Sequence, residues 1–242
     1  MRIAFITTIM NDADNLIVRG VPVTSTIVEF DDGALAIVDT GMAGNPELLE
    51  QLDDLGCRPS DFTFVFNTHL HPDHIGGNRH FTKARIIISR LEFEHQQSLE
   101  DVCHKSRPTQ DISEDALMRQ LREMRERYPV SDLVGEPGQL EFLEDHLQLP
   151  FDIKLIPAPG HSIDDHAVFL PGRIQGILAT GDAMYHSLFI NPLFHFQINM
   201  ITRRQGRGDV DVLFPYVEEP MTKPTKWGLI WNWNYCILTK AA

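Results

Sequence analysis

Alternating apolar and polar positions make the first third of the chain read as strands. Residues 23–30 are rich in β-branched side chains, Asp31-Asp32-Gly33 is a turn signal, and 34–38 is a second apolar run. Together they predict a hairpin that ends at Asp39-Thr40-Gly41. The period then changes. Leu48, Leu52 and Leu55 recur at helical spacing across 46–55, and Pro46 suits a first turn. Residues 62–66 form a compact run of strand length, and 85–89, with Ile86-Ile87-Ile88, predict a buried strand. Further strands are predicted at 153–156, 167–170 and 177–180.

Between these strands, 91–146 breaks the rhythm. The stretch is charged and mostly helical in pattern. Leu117, Leu121, Met124 and Tyr128 share one face, while Arg119, Arg122, Glu123 and Glu126 point elsewhere. Ser113 before Glu114 and Asp115 resembles a helix start. The stretch reads as a helical insertion between sheet elements, packed internally and placed to roof a pocket. With no internal repeat or low-complexity linker, the expectation is one domain over 1–242 with an irregular tail from about 206. That tail carries three prolines and no clear period, and its Trp227, Trp231, Trp233 and Tyr235 could close the core, form an edge strand or make a homodimer contact.

Composition narrows the function classes. The chain has 242 residues, long enough for a sizeable core, and its apolar content of 43% and charged content of 23% are ordinary for a globular protein. A net charge of −13 repels phosphate backbones and anionic lipid, so neither nucleic acid nor a membrane surface is an expected partner. No stretch reaches the roughly 18 apolar residues of a membrane span. The N-terminus lacks the long apolar run and cleavage site of a secretory signal. Cys57, Cys103 and Cys236 are too scattered for a disulfide framework and read as reduced thiols, so the expected location is cytoplasmic.

The chemistry is concentrated in Thr68-His69-Leu70-His71-Pro72-Asp73-His74, which follows a strand-like run directly and precedes Gly76-Gly77. Imidazole nitrogen and carboxylate oxygen are the usual ligands of zinc and similar metals. On an extended strand end, His69 and His71 point the same way and can grip one ion. After the turn at Pro72, Asp73 and His74 can face a second. Gly76 and Gly77 would relieve crowding behind the loop. Two further donors, His161 in Pro159-Gly160-His161-Ser162 and Asp182 in Gly181-Asp182-Ala183, stand at the ends of separate predicted strands. No G-x-S-x-G elbow or Walker A pattern is present, and Cys103-His104 lies in a charged helical stretch unsuited to a thiol nucleophile.

In Asp39-Thr40-Gly41, His69-Leu70-His71-Pro72-Asp73-His74, Gly160-His161-Ser162 and Gly181-Asp182, in that order, the chain resembles the metallo-β-lactamase-fold hydrolases over roughly residues 23 to 200. The resemblance implies an α/β fold, an αβ/βα sandwich of two packed mixed β-sheets with outer helices. It implies two divalent metal ions, most simply zinc. His69, His71 and His161 would hold the first, Asp73 and His74 the second, and Asp182 would bridge them, with Asp39 orienting ligands. Within the superfamily the nearest look is the N-acyl-homoserine lactonase-like, quorum-quenching group, carried by His80-Phe81-Thr82, Ser89-Arg90-Leu91-Glu92-Phe93-Glu94 and Asp182-Ala183-Met184-Tyr185.

That resemblance implies a small-molecule lactone or ester as substrate. Metal acidifies bound water toward a pKa of about 7, Tyr185 donates to the developing oxyanion, and Asp182 or Asp73 passes the proton to the leaving oxygen. A thioester, phosphodiester or β-lactam substrate is the alternative chemistry. One departure stands out: the family supplies a further late histidine, whereas the last one here is His195. Three readings stay open. His166, His186 or His195 substitutes; Asp209 or Asp211 does; or the tail has diverged, leaving the second ion weakly held or absent and the chain a catalytically impaired binding protein.

Overall fold

Side-chain alternation along three short strands splits the core into two layers. In β3 (Leu35–Val38), β4 (Phe62–Phe66) and β5 (Arg85–Ile88), Ile37, Val65, Ile86 and Ile88 face one way. Ala36, Val38, Phe64, Phe66 and Ile87 face the other. The first set packs against Leu48 and Leu52 of α1 (Glu47–Asp54), Ile75 of α2 (Pro72–Ile75), and Val130 and Leu133 of α5 (Val130–Leu133). The second packs against Val168 and Leu170 of β8 (His166–Leu170) and Ala179 of β9 (Gly176–Ala179). Strands buried on both faces read as continuous apolar runs, which is why these were visible in the sequence. Burying each such Ile or Phe contributes roughly 1.5–3 kcal/mol.

The structure is a computed structural model that describes residues 2–11, 19–105, 116–145, 147–171, 176–184, 227–232 and 235–240. With β6 at Leu140–Phe142, its first sheet runs in the order β1-β2-β3-β4-β5-β6, with β1 (Arg2–Asn11) and β2 (Arg19–Glu29) antiparallel and β3 to β6 parallel. The predicted hairpin is β2 and β3, with Ile27 opposite Ile37. With β7 at Lys154–Pro157, β10 at Trp227–Asn232 and β11 at Tyr235–Lys240, the second sheet runs β10-β11-β9-β8-β7 and is antiparallel throughout rather than mixed. Helix-bearing sheet packs on sheet as the sandwich expectation requires.

Two expectations about extent change. The stretch 91–146 does carry helices, α3 (Arg90–Lys105), α4 (Ala116–Arg127) and α5, but it ends by returning a strand to the first sheet. That strand, β6 (Leu140–Phe142), pairs in parallel with β5, Ile87 opposite Glu141. Three half-buried residues are too few to show a period. The tail expected to be irregular contains β10 (Trp227–Asn232) and β11 (Tyr235–Lys240), an antiparallel pair that extends the second sheet from β9. Their aromatic and aliphatic composition suits strands, but each is only six residues long and sits in a proline-broken region that has no overall period. Among the described residues no helix is long and apolar enough to cross a membrane.

This topology sets the site. The parallel strands β3, β4 and β5 all end at one edge of the first sheet, where their carboxyl ends deliver Asp39, His69 and Ser89. The backbone N–H of His166, at the start of β8, donates to the Thr68 carbonyl at 2.8 Å, stitching the second sheet to the same edge.

Candidate metal centre

Asp39 leaves β3 with a left-handed backbone, φ 56, a conformation aspartate tolerates better than most residues. The turn aims its carboxylate along the sheet edge. One oxygen accepts from the Thr68 N–H and the other from the Thr68 hydroxyl, each at 2.8 Å. The second oxygen also meets His74 Nδ1 at 2.8 Å. A strained backbone held by three bonds to neighbours is the pattern expected where geometry matters more than local stability.

Those bonds fix the imidazoles. His74 places its Nδ1 hydrogen on Asp39, so the neutral ring, the form that could bind a cation, would carry its lone pair on Nε2. The Thr68 hydroxyl has given its hydrogen to Asp39, so it can accept from His69 Nδ1, 3.1 Å away. That leaves His69 Nε2 bare too. Both Nε2 atoms are buried and without a hydrogen-bond partner. Each unsatisfied buried group costs about 1–3 kcal/mol, a cost that a cation between them would remove.

The remaining donors gather around these two. His69, His71 and His161 form one group and His69, His74 and Asp182 another, each with ligand atoms within 4.8 Å of one another. Asp182 Oδ1 lies 3.4 Å from His74 Nε2 and Oδ2 lies 3.3 Å from His161 Nε2, so its two oxygens address the two groups separately. Asp73 Oδ2 is 3.6 Å from His74 Nε2. All six residues expected from the sequence thus converge at one edge. The grouping differs slightly: His69 belongs to both sets, and since one Nε2 holds one ion, the two sets are adjacent. His166 joins neither, its Nδ1 lying 2.8 Å from the Asp164 carbonyl. Tyr185, His186, His195, Asp209 and Asp211 lie outside the described residues.

Glycine is required at three contacts around this loop. A Cβ at Gly76 would overlap the Ala43 backbone, and one at Gly77 the Thr40 carbonyl. At Gly181, φ 49, it would overlap the Thr68 side chain, so Asp182 reaches the centre only because its neighbour has none.

Two supporting networks escaped the sequence reading. Behind the metal loop, Asn78 is fully buried. It accepts from the Thr40 hydroxyl at 2.7 Å and donates to Asn67 Oδ1 at 2.8 Å and to the Val134 carbonyl at 3.0 Å. Beside His161, the Ser89 hydroxyl donates to Asp164 at 2.5 Å and caps α3 by accepting from the Glu92 N–H at 3.0 Å. Glu92 in turn accepts from the Asp164 N–H at 3.2 Å. This ties the His161 loop to the helical insertion. Asp165 was also missed. It is fully buried, both its oxygens lack hydrogen bonds, and Oδ1 lies 3.4 Å from His69 Nδ1. In Gly160-His161-Ser162-Ile163-Asp164-Asp165 the aspartates read as turn residues, and nothing in the sequence marks the second as buried.

The electrostatics match a site built for positive charge. Burial, then the charge of neighbouring histidines, holds His69 well below the usual histidine range. Burial and His161 bring His71 down to about 4. Burial also opposes charge on His74, but Asp39, Asp182 and Asp73 outweigh it and hold that ring well above its ordinary value. Asp182 is disfavoured by burial yet kept below the usual carboxylate range by His74. Burial pushes Asp165 up to about 8; the charge of His74 works against that rise, and Asp182, Asp39 and Glu92 add to it. With a cation among the donors, all four imidazoles would be neutral and the carboxylates charged.

A family model for the metallo-beta-lactamase superfamily matches residues 18–217. The chain belongs to the metallo-β-lactamase superfamily. Among curated relatives, an N-acyl homoserine lactonase of Bacillus cereus is 30% identical over 189 residues, covering 68% of this chain and 64% of the relative. The N-acyl homoserine lactonase AiiA of Bacillus thuringiensis subsp. kurstaki is 25% identical over 189 residues with the same coverage. The chain therefore spans just under two thirds of the length of these relatives. A crystal structure of B. thuringiensis AiiA with N-decanoyl-L-homoserine at its active site superposes with TM-score 0.51 at 18% identity, over 85% of this chain and 90% of that one. At that identity the superposition speaks for the superfamily fold alone.

Proposed function

We propose that this superfamily member is a metal-dependent hydrolase that opens lactones of the N-acyl-homoserine type or cleaves related carboxylic esters. The observation that carries the reading is the pair of buried, unpartnered Nε2 atoms of His69 and His74 facing the Asp182 carboxylate. The lactonase relatives support the substrate class.

His69, His71 and His161 would hold one divalent ion, His74 and Asp73 a second, and Asp182 both, with zinc the simplest occupant for this nitrogen-rich set. When bound, such ions supply a water acidified toward neutrality and a Lewis acid for a carbonyl. The protein's own residues supply the rest. Asp39 and Thr68 hold His74 and His69 in the tautomer that bares Nε2. Asp73 lines the cleft beside the centre and is placed to pass a proton to the leaving oxygen. Tyr185 is the proposed donor to the substrate carbonyl.

Metal analysis of the purified chain tests the site, with about two equivalents expected per chain. Near zero in a folded chain would favour a binding protein, the reading motivated by the missing late histidine. Assay of acyl lactones beside glutathione thioesters and nitrophenyl phosphodiesters tests the substrate. Turnover of another class with none on lactones would reject the lactone assignment while keeping the hydrolase.

A further inference from the structure

An open cleft runs from the metal loop to the helical insertion. His71 and Asp73 stand at one end, and Met124, Tyr128 and Val130 give it an apolar wall. Three polar side chains of the helices also line it, and they differ in how they are engaged. Gln96 donates to Glu92 at 2.9 Å. Glu100 accepts from the Val130 N–H at 2.5 Å. Arg125 has its Nε buried with no hydrogen-bond partner among the described residues. Its helix neighbour Arg122, by contrast, faces Glu126 at 3.6 Å.

We infer that Arg125 is a specificity-determining residue that takes a neutral carbonyl oxygen on the acyl arm of the substrate, so that the cleft selects amide-bearing acyl groups over plain alkyl chains. The inference rests on the lactone reading above and adds to it. Arg125 lines the cleft with no carboxylate or hydrogen-bond partner among the described residues, so its guanidinium is free to donate to an acceptor seated there. A guanidinium offers its N–H groups along a rigid planar edge, which suits a carbonyl oxygen set at a fixed distance from the reacting bond. A second anion is disfavoured there, because Asp73 and Glu100 line the same cleft and the chain carries a net charge of −13. The apolar wall of Met124, Tyr128 and Val130 would take the hydrocarbon beyond the carbonyl.

The test uses a matched pair of lactones on the full metal-loaded chain. N-hexanoyl homoserine lactone carries the amide, and γ-decanolactone has a plain alkyl chain of similar reach. Arg125→Met keeps the aliphatic stem and removes the donors. It is expected to lower the wild-type preference for the amide lactone, as a ratio of kcat/KM values, by about tenfold or more, mainly through KM. Arg125→Lys should recover part of that preference. An unchanged ratio overturns the inference, whether both substrates lose equally or neither does. If wild type turns over neither lactone, the lactone reading fails by itself, and binding decides the subsite. Zinc-loaded wild type and Arg125→Met would be titrated calorimetrically with N-hexanoyl-L-homoserine and with 4-hydroxydecanoate. Tighter binding of the amide acid by wild type only would support Arg125. Equal binding by both proteins, or none by wild type, would overturn it.

Discussion

His69 and His74 stand on the inner wall of the centre, His71 and His161 on the outer, and the two pairs are held in different ways. Each inner ring is 1% exposed, has its Nδ1 anchored by Thr68 or Asp39, and has an Nε2 without a hydrogen-bond partner. The outer rings meet each other instead, His161 Nε2 lying 3.0 Å from His71 Nδ1, and the His161 side chain is 34% exposed. The inner wall would thus be organised before an ion arrived, whereas the outer wall would have to exchange a ring-to-ring contact for a ligand bond. Preorganisation of this kind places the binding free energy on the inner donors.

A pair of truncations separates the two walls. His69→Ala removes an anchored inner donor and is expected to lower affinity for the first ion by more than about a hundredfold and to abolish hydrolysis. His161→Ala should leave the inner donors intact and retain about one ion per chain. Metal content after dialysis checks both. Equal loss in the two variants would show that the walls are not energetically distinct.

Smaller effects are expected one bond further out. Asp39→Ala releases the Thr68 N–H and hydroxyl and the His74 ring together. Loss of such an orienting partner costs about 10–100-fold in metal affinity. Asp39→Asn should be as damaging despite its size. Its amide either turns an N–H toward His74 Nδ1, which favours the wrong tautomer, or turns it toward Thr68, which loses an acceptor. Competition with a chromogenic chelator measures both variants; an affinity unchanged in Asp39→Asn would reject the tautomer argument.

The two walls were also unequally legible. His69, His71, Asp73 and His74 lie in one short run whose donor types and spacing have few other uses, so they could be read directly. His161 and Asp182 were readable because each follows an apolar strand, and a sheet aims strand ends at one edge. Asn78, Asn67 and Asp165 were not, because a buried amide or carboxylate has the same letter as an exposed one and declares itself only by its partners. The same limit applied to the fold. Strands buried on both faces, such as β4 and β5, showed as apolar runs, whereas β6 is three half-buried residues whose pairing with β5 depends on α3, α4 and α5 having brought the chain back. The insertion's helical faces were legible, but the cleft they form with the metal loop is a property of packing.

Asp165 gives the inner wall a further property that the outer wall lacks: a fully buried carboxyl whose oxygens have no hydrogen-bond partner. In the metal-free chain its carboxyl, raised to about 8 by burial, stays protonated where the unfolded chain, near the ordinary carboxyl value of 3.8, is ionised. The folded state therefore binds the extra proton between those values, and stability from this group falls as pH rises from about 4 to about 8, then levels. Asp165→Asn cannot ionise. Relative to wild type, the metal-free variant should match or trail slightly near pH 4, gain progressively, and be more stable above pH 8 on the order of several kcal/mol. Urea denaturation across that range measures the difference, and parallel curves for the two proteins would show that the carboxylate is solvated rather than isolated. The gain should shrink in metal-loaded protein, since a cation on His69 Nε2 would place positive charge beside Asp165, whose Oδ1 lies 3.4 Å from His69 Nδ1, and favour the charged carboxylate. The difference between the loaded and metal-free curves then measures how far the inner wall is charged in advance for the ion it is proposed to hold.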